Sequence, residues 1–339
     1  MGGDHGPSEI VPGSIAYARS HPEDVVILVG DEAVLGPLLR DRPDNVRTVH
    51  ASQVIEMHEH PAMALREKKD ASILVATELV KRGEADAVVT AGHTGAGMAA
   101  AVLRLGRLRG VDRPGLAVQM VGTEHPFVLL DIGANPDSTA ENLAQYARMG
   151  AIFSERVLGV QRPRVALLSI GEEKGKGDAR IQRATELLDA TDLNFIGNVE
   201  GKDLTLQMAD VVVCDAVLGN VVIKFFEGLS SLIFDMLRAE FRSGIRGRLA
   251  YLLLRPGIRR IRTSFDYEVV GGSPLLGVRG AVIITHGRAK RRMIEHAVRV
   301  GATTARERVP ERIAEALGAG VRQDATEGEV PVIAPEEVS

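Results

Sequence analysis

Six turns rich in glycine and polar residues recur along the chain, centred near residues 2, 92, 133, 171, 198 and 219. All but the first follow a short apolar run typical of a buried strand, and helical patterns follow most of them. Strands that alternate with helices predict a parallel sheet covered on both faces. We therefore expect a Rossmann-like, three-layer α/β/α fold with a mainly parallel central sheet and a cleft shared by many strand ends.

The turn near residue 92 is the most informative of the six. The segment Ala85–Ala101 reads ADAVVTAGHTGAGMAAA, in which a buried strand passes through a glycine-dense turn into an alanine-rich helix. Backbone N–H groups at the start of such a helix can bind an anion, although the glycines are equally compatible with a tight turn alone. The residues of this predicted anion site are Gly92, His93, Thr94 and Gly95.

Composition narrows the classes of function. The 41 basic and 45 acidic residues give a net charge of −4, and aromatic residues make up only 4%, which argues against nucleic-acid binding. The single cysteine, Cys214, lies beside an apolar run, so we expect a buried thiol and a reducing, cytoplasmic environment. We expect no signal peptide, no membrane-spanning segment, no metal and no cofactor. Because no strand precedes the turn at Met1–Pro7, we also expect that the first strand of the sheet is missing from this sequence.

Other polar residues follow predicted strands or precede predicted helices. Asparagine and histidine side chains can orient an anion or assist proton transfer, and lysines can neutralise an anion. The asparagine and histidine candidates are Asn135, Asn198, Asn220 and His286. The candidate counter-charges are Lys68, Lys69 and Lys176, for which a solvated surface is the alternative.

The segment from Arg238 to Arg262 is strongly basic and amphipathic. Its apolar residues recur at helical spacing, which predicts a helix ending at Pro256. Such a helix suits an anionic membrane surface or an acidic protein, or it packs on its own domain. The apolar positions are Ile245, Leu249, Leu252 and Leu253. We predict one α/β domain over residues 1–320, with a helical protrusion at about 228–262 and a disordered tail at 321–339.

Nine motifs together resemble the phosphate acyltransferase (PlsX) family over the stretch from Met1 to about Val300. In chain order they read MGGDHGP, KKD, TAGHTGAGMA, LLDIGAN, SIGEEKGKG, FIGNVEGKDL, VVVCDAVLGNVVIK, GGSPLLGV and ITHG. The resemblance implies a phosphotransacetylase-like fold and the conversion of acyl-acyl carrier protein and inorganic phosphate into acyl phosphate, an early step of bacterial phospholipid synthesis. It also implies a homodimer that associates peripherally with the membrane.

This chemistry needs a site for phosphate and groups that stabilise a tetrahedral oxyanion. We predict that the anion site of residues 92–95 and the three candidate lysines bind phosphate, with His93 among the catalytic residues beside the three asparagines. We predict that His286 protonates the leaving thiol. The residues predicted to contact the substrate or the acidic carrier protein are Lys224, Arg242, Arg246, Arg248, Gly271, Gly272 and Pro274.

Three other functions fit parts of the sequence. An acyl-coenzyme A donor would use the same chemistry with a different partner surface. A membrane-associated scaffold without activity is suggested because His93 and Ser169 stand where the family usually has asparagine, with Gly97 and Ala216 also departing from its pattern. The segment Gly95–Ala100 also fits the dinucleotide fingerprint G-x-G-x-x-A, although the next predicted strand, Leu116–Val121, does not end in the expected acidic residue.

Overall fold

The computed structural model describes residues 1–122, 125–264 and 271–318, with side chains described outside 259–264. The predicted tail at 321–339 therefore lies outside the described residues. The strands are β1 (Val26–Gly30), β2 (Val46–His50), β3 (Ala87–Thr90), β4 (Gly115–Met120), β5 (Phe127–Leu130), β6 (Val165–Leu168), β7 (Phe195–Val199), β8 (Val211–Val213), β9 (Ser273–Leu276) and β10 (Ala281–Ile284).

Twelve α-helices lie within the described residues. They are α1 (Pro7–Ser20), α2 (Glu32–Leu35), α3 (Pro61–Glu67), α4 (Ser72–Lys81), α5 (Thr94–Arg104), α6 (Ala140–Phe153), α7 (Ala179–Asp189), α8 (Asp203–Leu206), α9 (Ala216–Arg242), α10 (Gly244–Ser264), α11 (Arg291–Arg306) and α12 (Val309–Gly318). A 3₁₀ turn extends α2 over Gly36–Leu39, and a π-helical turn extends α6 over Ser154–Leu158.

Eight strands form the main sheet, in the order β3-β10-β9-β4-β5-β8-β6-β7. Two parallel groups, β3-β10 and β5-β8-β6-β7, are joined through the antiparallel strands β9 and β4. The prediction of an α/β fold with a mostly parallel central sheet is confirmed. Because the antiparallel centre reverses the strand direction, the two parallel groups have their carboxyl ends at opposite edges of the sheet rather than at one.

Helices cover both faces of this sheet. Helices α6 and α7 pack on one face against buried residues of β5, β6 and β8. Helix α5 and the beginning of α9 lie on the other face, over β10, β4 and β5. All four residues of β5, β6 and β10 are buried, which explains their continuous apolar sequences.

Strands β1 and β2 pair in parallel but form a separate two-stranded sheet. The first residues of the chain lie between β1 and the end of β3. The Met1 amino group donates to the Val29 carbonyl at 3.4 Å. A Cβ atom on Gly2 would lie 3.3 Å from the Cα atom of Gly92, and Gly2 has a φ of +99°, so this approach favours glycine.

Helix α6 is capped at Thr139, which forms a reciprocal capping box with Asn142. One local prediction is wrong. Pro256 does not end its helix, since α10 continues through it to Ser264. Pro256 is exposed, so water can hydrogen-bond to the carbonyl group that loses its N–H partner.

Helices α9 and α10 follow each other directly, contact each other near their junction and carry many exposed apolar side chains. A Cβ atom on Gly247 would lie 2.6 Å from the Glu240 carbonyl oxygen, so glycine permits the close approach of the two helices. The Phe241 and Tyr251 rings also pack at 5.6 Å between centroids. Among the described helices, α9 alone is long and apolar enough to span a membrane by length and composition.

Candidate functional site

A cleft of about 1080 Å³ lies on the sheet face between α5 and α9. Its floor includes Leu116, Val118 and Met120 of β4, three apolar side chains that alternate along one face of the strand. Helix α9 lines the cleft from Ala216 to Arg238. At 1.5 Å per residue this stretch of helix is about 33 Å long. The cleft is therefore an elongated groove with an apolar floor.

The turn after β3 contributes Thr94 to the cleft. His93 precedes it as the N-cap of α5, and its Nδ1 atom accepts hydrogen bonds from the backbone N–H groups of Gly95 at 3.1 Å and Ala96 at 3.4 Å. The Gly92 N–H group donates to the Thr90 hydroxyl at 3.1 Å. Two N–H groups of the predicted anion site, those of Gly92 and Gly95, therefore have partners within the turn itself.

The turn after β5 is organised by the buried carboxylate of Asp131. Backbone N–H groups of Leu116, Gly133, Ala134 and Asn135 donate to it at 2.8 to 3.0 Å. Burial raises the pKa of Asp131, and these four donors oppose that effect by stabilising the charged form. The turn places Ile132 and Gly133 at the wall of the cleft.

Helix α9 starts beside this turn. Asp215 caps the helix, and Gly219 allows its first turn to pack closely against Asp131. The Asp215 side chain accepts from the N–H groups of Val217 and Leu218, both at 3.0 Å. A Cβ atom on Gly219 would lie 1.9 Å from the Asp131 carbonyl oxygen, so only glycine allows this approach. Asn220 follows and lines the cleft.

Four charged or titratable side chains meet where α9 passes the end of β10. Lys224 Nζ lies 3.2 Å from Glu227 Oε2 and 3.4 Å from His286 Nε2. Arg288 Nη2 lies 3.1 Å from the same Glu227 oxygen. Burial lowers the pKa of His286, and the positive charges of Arg288 and Lys224 lower it further. The neutral imidazole is therefore favoured, and its Nε2 atom accepts from Lys224, since an ammonium group can only donate.

Of the three predicted residues in the GGSP segment, Gly271, Gly272 and Pro274, one lines the cleft. Gly272 lines the cleft beside Ser273. Gly271 instead packs on α11, where a Cβ atom would lie 2.6 Å from the His296 carbonyl carbon. Pro274 is buried within β9, opposite Ile283 of β10.

The predicted counter-charges do not line the cleft. Lys68 donates to Glu59 Oε2 at 2.6 Å and to the Val54 carbonyl at 2.7 Å, so its ammonium group holds the preceding loop. Lys69 and Lys176 are exposed outside the cleft lining.

Two of the predicted asparagines are also outside the cleft lining. The Asn135 amide group contacts Ser138, Asn142 and Tyr146 at 3.3 to 3.4 Å in a buried network. Asn198 is buried at the end of β7, where its Oδ1 atom has no hydrogen-bond partner among the described residues.

The helical pair carries the remaining predicted residues. All of them are exposed, and Leu253 is the most exposed of the apolar ones at 83%. They comprise the cations Arg242, Arg246 and Arg248 and the apolar residues Ile245, Leu249, Leu252 and Leu253.

The structure thus brings five predicted residues together in one cleft: Thr94, Asn220, Lys224, Gly272 and His286. The sequence interpretation missed Glu227 and Arg288, which complete the charged group around His286. The available signals were the i, i+3 spacing of Glu227 from Lys224 and the position of Arg288 two residues after His286.

Solved structures place this architecture in a known class. The fold is similar to that of the EutD phosphotransacetylase from Staphylococcus aureus, with a TM-score of 0.57 at 15% identity over 88% of this chain and 92% of the other. It is also similar to a phosphotransacetylase from Streptococcus pyogenes, with a TM-score of 0.53 at 16% identity over 84% of this chain and 94% of the other. The chain therefore has a phosphotransacetylase-like fold.

Sequence comparison identifies the family within that class. Residues 1–312 match the family described as "Fatty acid synthesis protein". Phosphate acyltransferases from Heliobacterium modesticaldum and Dictyoglomus turgidum are 48% and 45% identical, covering 88% and 94% of this chain and 90% and 96% of their own lengths. The chain belongs to the phosphate acyltransferase family of enzymes. The family resemblance predicted from the motifs is confirmed.

The dinucleotide-binding alternative lacks its structural context. In its fingerprint the glycine turn leads from a strand into a helix, and that helix leads to the neighbouring strand of a compact βαβ unit. Here β3 and β4 are separated in the sheet by β10 and β9.

Proposed function

We propose that this protein converts acyl-acyl carrier protein and inorganic phosphate into acyl phosphate and the free carrier protein, as an early step of phospholipid synthesis. One observation carries the proposal: the same cleft has an apolar floor and the charged group around His286. The groove runs beside about 33 Å of α9 and has an apolar floor that can hold part of an extended acyl chain. Lys224 at the same groove supplies positive charge for phosphate.

The reaction joins a phosphate oxygen to the thioester carbonyl carbon and breaks the carbon–sulfur bond. Hydrogen phosphate is already an anionic nucleophile, so the enzyme mainly has to orient it and stabilise the oxyanion. Asn220 and Thr94 are among the polar side chains lining the cleft that can donate to these oxygens. Once phosphate replaces His286 as a partner of Lys224, the Nε2 atom of neutral His286 can take the proton of hydrogen phosphate and pass it to the leaving sulfur, which balances the reaction.

The exposed surface of α9 and α10 supports two further parts of the proposal. Basic residues of α10 provide a surface for an acidic carrier protein or anionic lipid, and Leu249, Leu252 and Leu253 supply apolar contacts for peripheral membrane association. Exposed apolar side chains of α9, including Leu232 and Met236, are suited to a homodimer interface. Sedimentation equilibrium of the full chain measures this association directly.

Activity is tested by incubating the full chain with long-chain acyl-acyl carrier protein and inorganic phosphate. Release of the carrier thiol is followed, and acyl phosphate is trapped with hydroxylamine. We expect phosphate-dependent thiol release with a trappable product. Matched reactions with acyl-coenzyme A identify the preferred donor. Absence of phosphate-dependent release with both donors would contradict acyl transfer.

A further inference from the structure

Glu227 is a carboxylate shared by two cations at the cleft. Its Oε2 atom lies 3.2 Å from Lys224 Nζ and 3.1 Å from Arg288 Nη2. Lys224 belongs to the same helix, whereas Arg288 follows β10, 61 residues further along the chain. The Glu227 side chain is 18% exposed, against 53% for Lys224 and 45% for Arg288. The carboxylate is therefore the inner member of the group, and it fixes α9 to the segment that contains His286.

This arrangement controls how close the two cations can remain. Lys224 and Arg288 both donate to one oxygen, so their charged groups lie within about two hydrogen-bond lengths of each other. Without the carboxylate, their mutual repulsion and side-chain entropy favour separation. With His286 neutral, Lys224, Glu227 and Arg288 together carry one net positive charge, and the Asp4 carboxylate lies next to Gly287.

Two backbone donors at the start of α5 are already engaged. His93 Nδ1 accepts from the N–H groups of Gly95 and Ala96. Side-chain cations at the cleft therefore supply positive charge that these two donors do not. This observation is independent of the contacts made by Glu227.

We propose that Glu227 is a positioning residue that holds Lys224 and Arg288 beside His286 as a paired cation site for inorganic phosphate. The inference rests on the proposed phosphate acyl transfer. It assigns Glu227 no contact with the reacting atoms, because a carboxylate would repel phosphate. Its role is to set the spacing of the two cations.

The test compares steady-state constants of the full-length wild-type protein and Glu227→Gln in the hydroxylamine-trapping assay. We expect the KM for inorganic phosphate to rise at least tenfold, while the KM for acyl-acyl carrier protein changes less than twofold. Glu227→Asp should recover part of the loss because it keeps the charge. Glu186→Gln is the matched control, since Glu186 forms an exposed i, i+3 pair with Arg183 on α7, away from the cleft lining.

A double-mutant cycle separates positioning from general damage. If Glu227 acts through Arg288, Glu227→Gln should raise the phosphate KM less in an Arg288→Gln background than in the wild type. An unchanged phosphate KM in Glu227→Gln, or an equal rise in KM for both substrates, would overturn the proposal.

Calorimetric titration with inorganic phosphate measures phosphate binding without turnover. Phosphate binding that is tenfold weaker in Glu227→Gln supports the pair even if wild-type acyl transfer fails, whereas equal binding overturns it.

Discussion

The Nδ1 atom of His93 accepts a hydrogen bond from the backbone N–H group of Gly95 at 3.1 Å, so the residue that precedes α5 caps this helix. A side chain thereby takes the position that the glycine-rich turn would otherwise offer to an anion. In this tautomer the Nε2 atom carries the proton and remains a donor. The turn is therefore the capped start of a helix, and Thr94 is its residue that lines the cleft.

Replacing the cap should separate its structural effect from catalysis. His93→Ala removes the acceptor for Gly95 and Ala96, and we expect it to reduce the free energy of unfolding by about 1 kcal/mol. His93→Asn should lose less, because asparagine is a strong N-cap. Urea unfolding of the three proteins measures both effects, with His50→Asn on the exposed end of β2 as the control. Equal stability of wild type and His93→Ala would show that the cap contributes nothing.

Much of the fold could be predicted from local sequence patterns. The buried runs at Phe127–Leu130, Val165–Leu168 and Ala281–Ile284 are strands because their apolar sequences suit positions covered on both faces. Strand β9 was missed, since it has four residues, includes Pro274 and follows two glycines, all of which resemble a loop. This strand and β4 reverse the sheet direction, so strand order required long-range information.

The site was predictable only in part. Residue type and strand-end position identified Asn220 and His286, but the same features also selected Asn135, whose amide group belongs to a buried network. A one-dimensional pattern does not show which side of a turn a side chain occupies. Nor does it show that Glu59 engages Lys68, or that Glu227 joins Arg288 across 61 positions.

The different positions of two asparagines lead to different expected effects. Asn220 lines the cleft, so Asn220→Ala should lower kcat about 100- to 1,000-fold with unchanged thermal stability. Asn135→Ala should instead reduce the free energy of unfolding by about 1 to 3 kcal/mol, because it deprives Ser138, Asn142 and Tyr146 of a buried partner. Trapping kinetics combined with urea unfolding separate the two. Full activity of Asn220→Ala would remove that residue from the mechanism.

Glu9 gives the packing of α1 on α11 a predictable pH dependence. Its carboxylate accepts from the Arg291 backbone N–H at 2.8 Å and from the Arg291 guanidinium at 2.8 and 3.1 Å. These contacts lower the pKa of Glu9 to about 2 from its usual 4.5. A lowered folded-state pKa contributes stability that is fully present above pH 4.5 and is lost as the pH falls through about 2.

Glu9→Gln removes this contribution. We expect the variant to be about 1 kcal/mol less stable at pH 7, a modest value because water screens an ion pair at the surface. The difference from wild type should shrink as the pH falls from 4.5 towards 2. Urea unfolding across this range measures it, and Arg291→Gln should weaken the same dependence from the other partner. A stability difference that is independent of pH would rule out this linkage.

Membrane association should depend on the apolar residues of α10. Leu249, Leu252 and Leu253 are 56%, 63% and 83% exposed, and basic residues flank them. Burial of a leucine side chain in a lipid interface is worth about 1.5 to 3 kcal/mol, so changing all three to serine should abolish co-flotation with anionic vesicles.

The control variant changes Leu103, Ile170 and Leu206 to serine. These residues are 69%, 85% and 63% exposed elsewhere on the surface. If both triple variants float equally with the vesicles, α10 is not the membrane-binding element. If only the α10 variant stays in solution and its acyl transfer without vesicles is unchanged, the helix acts in membrane docking rather than in catalysis.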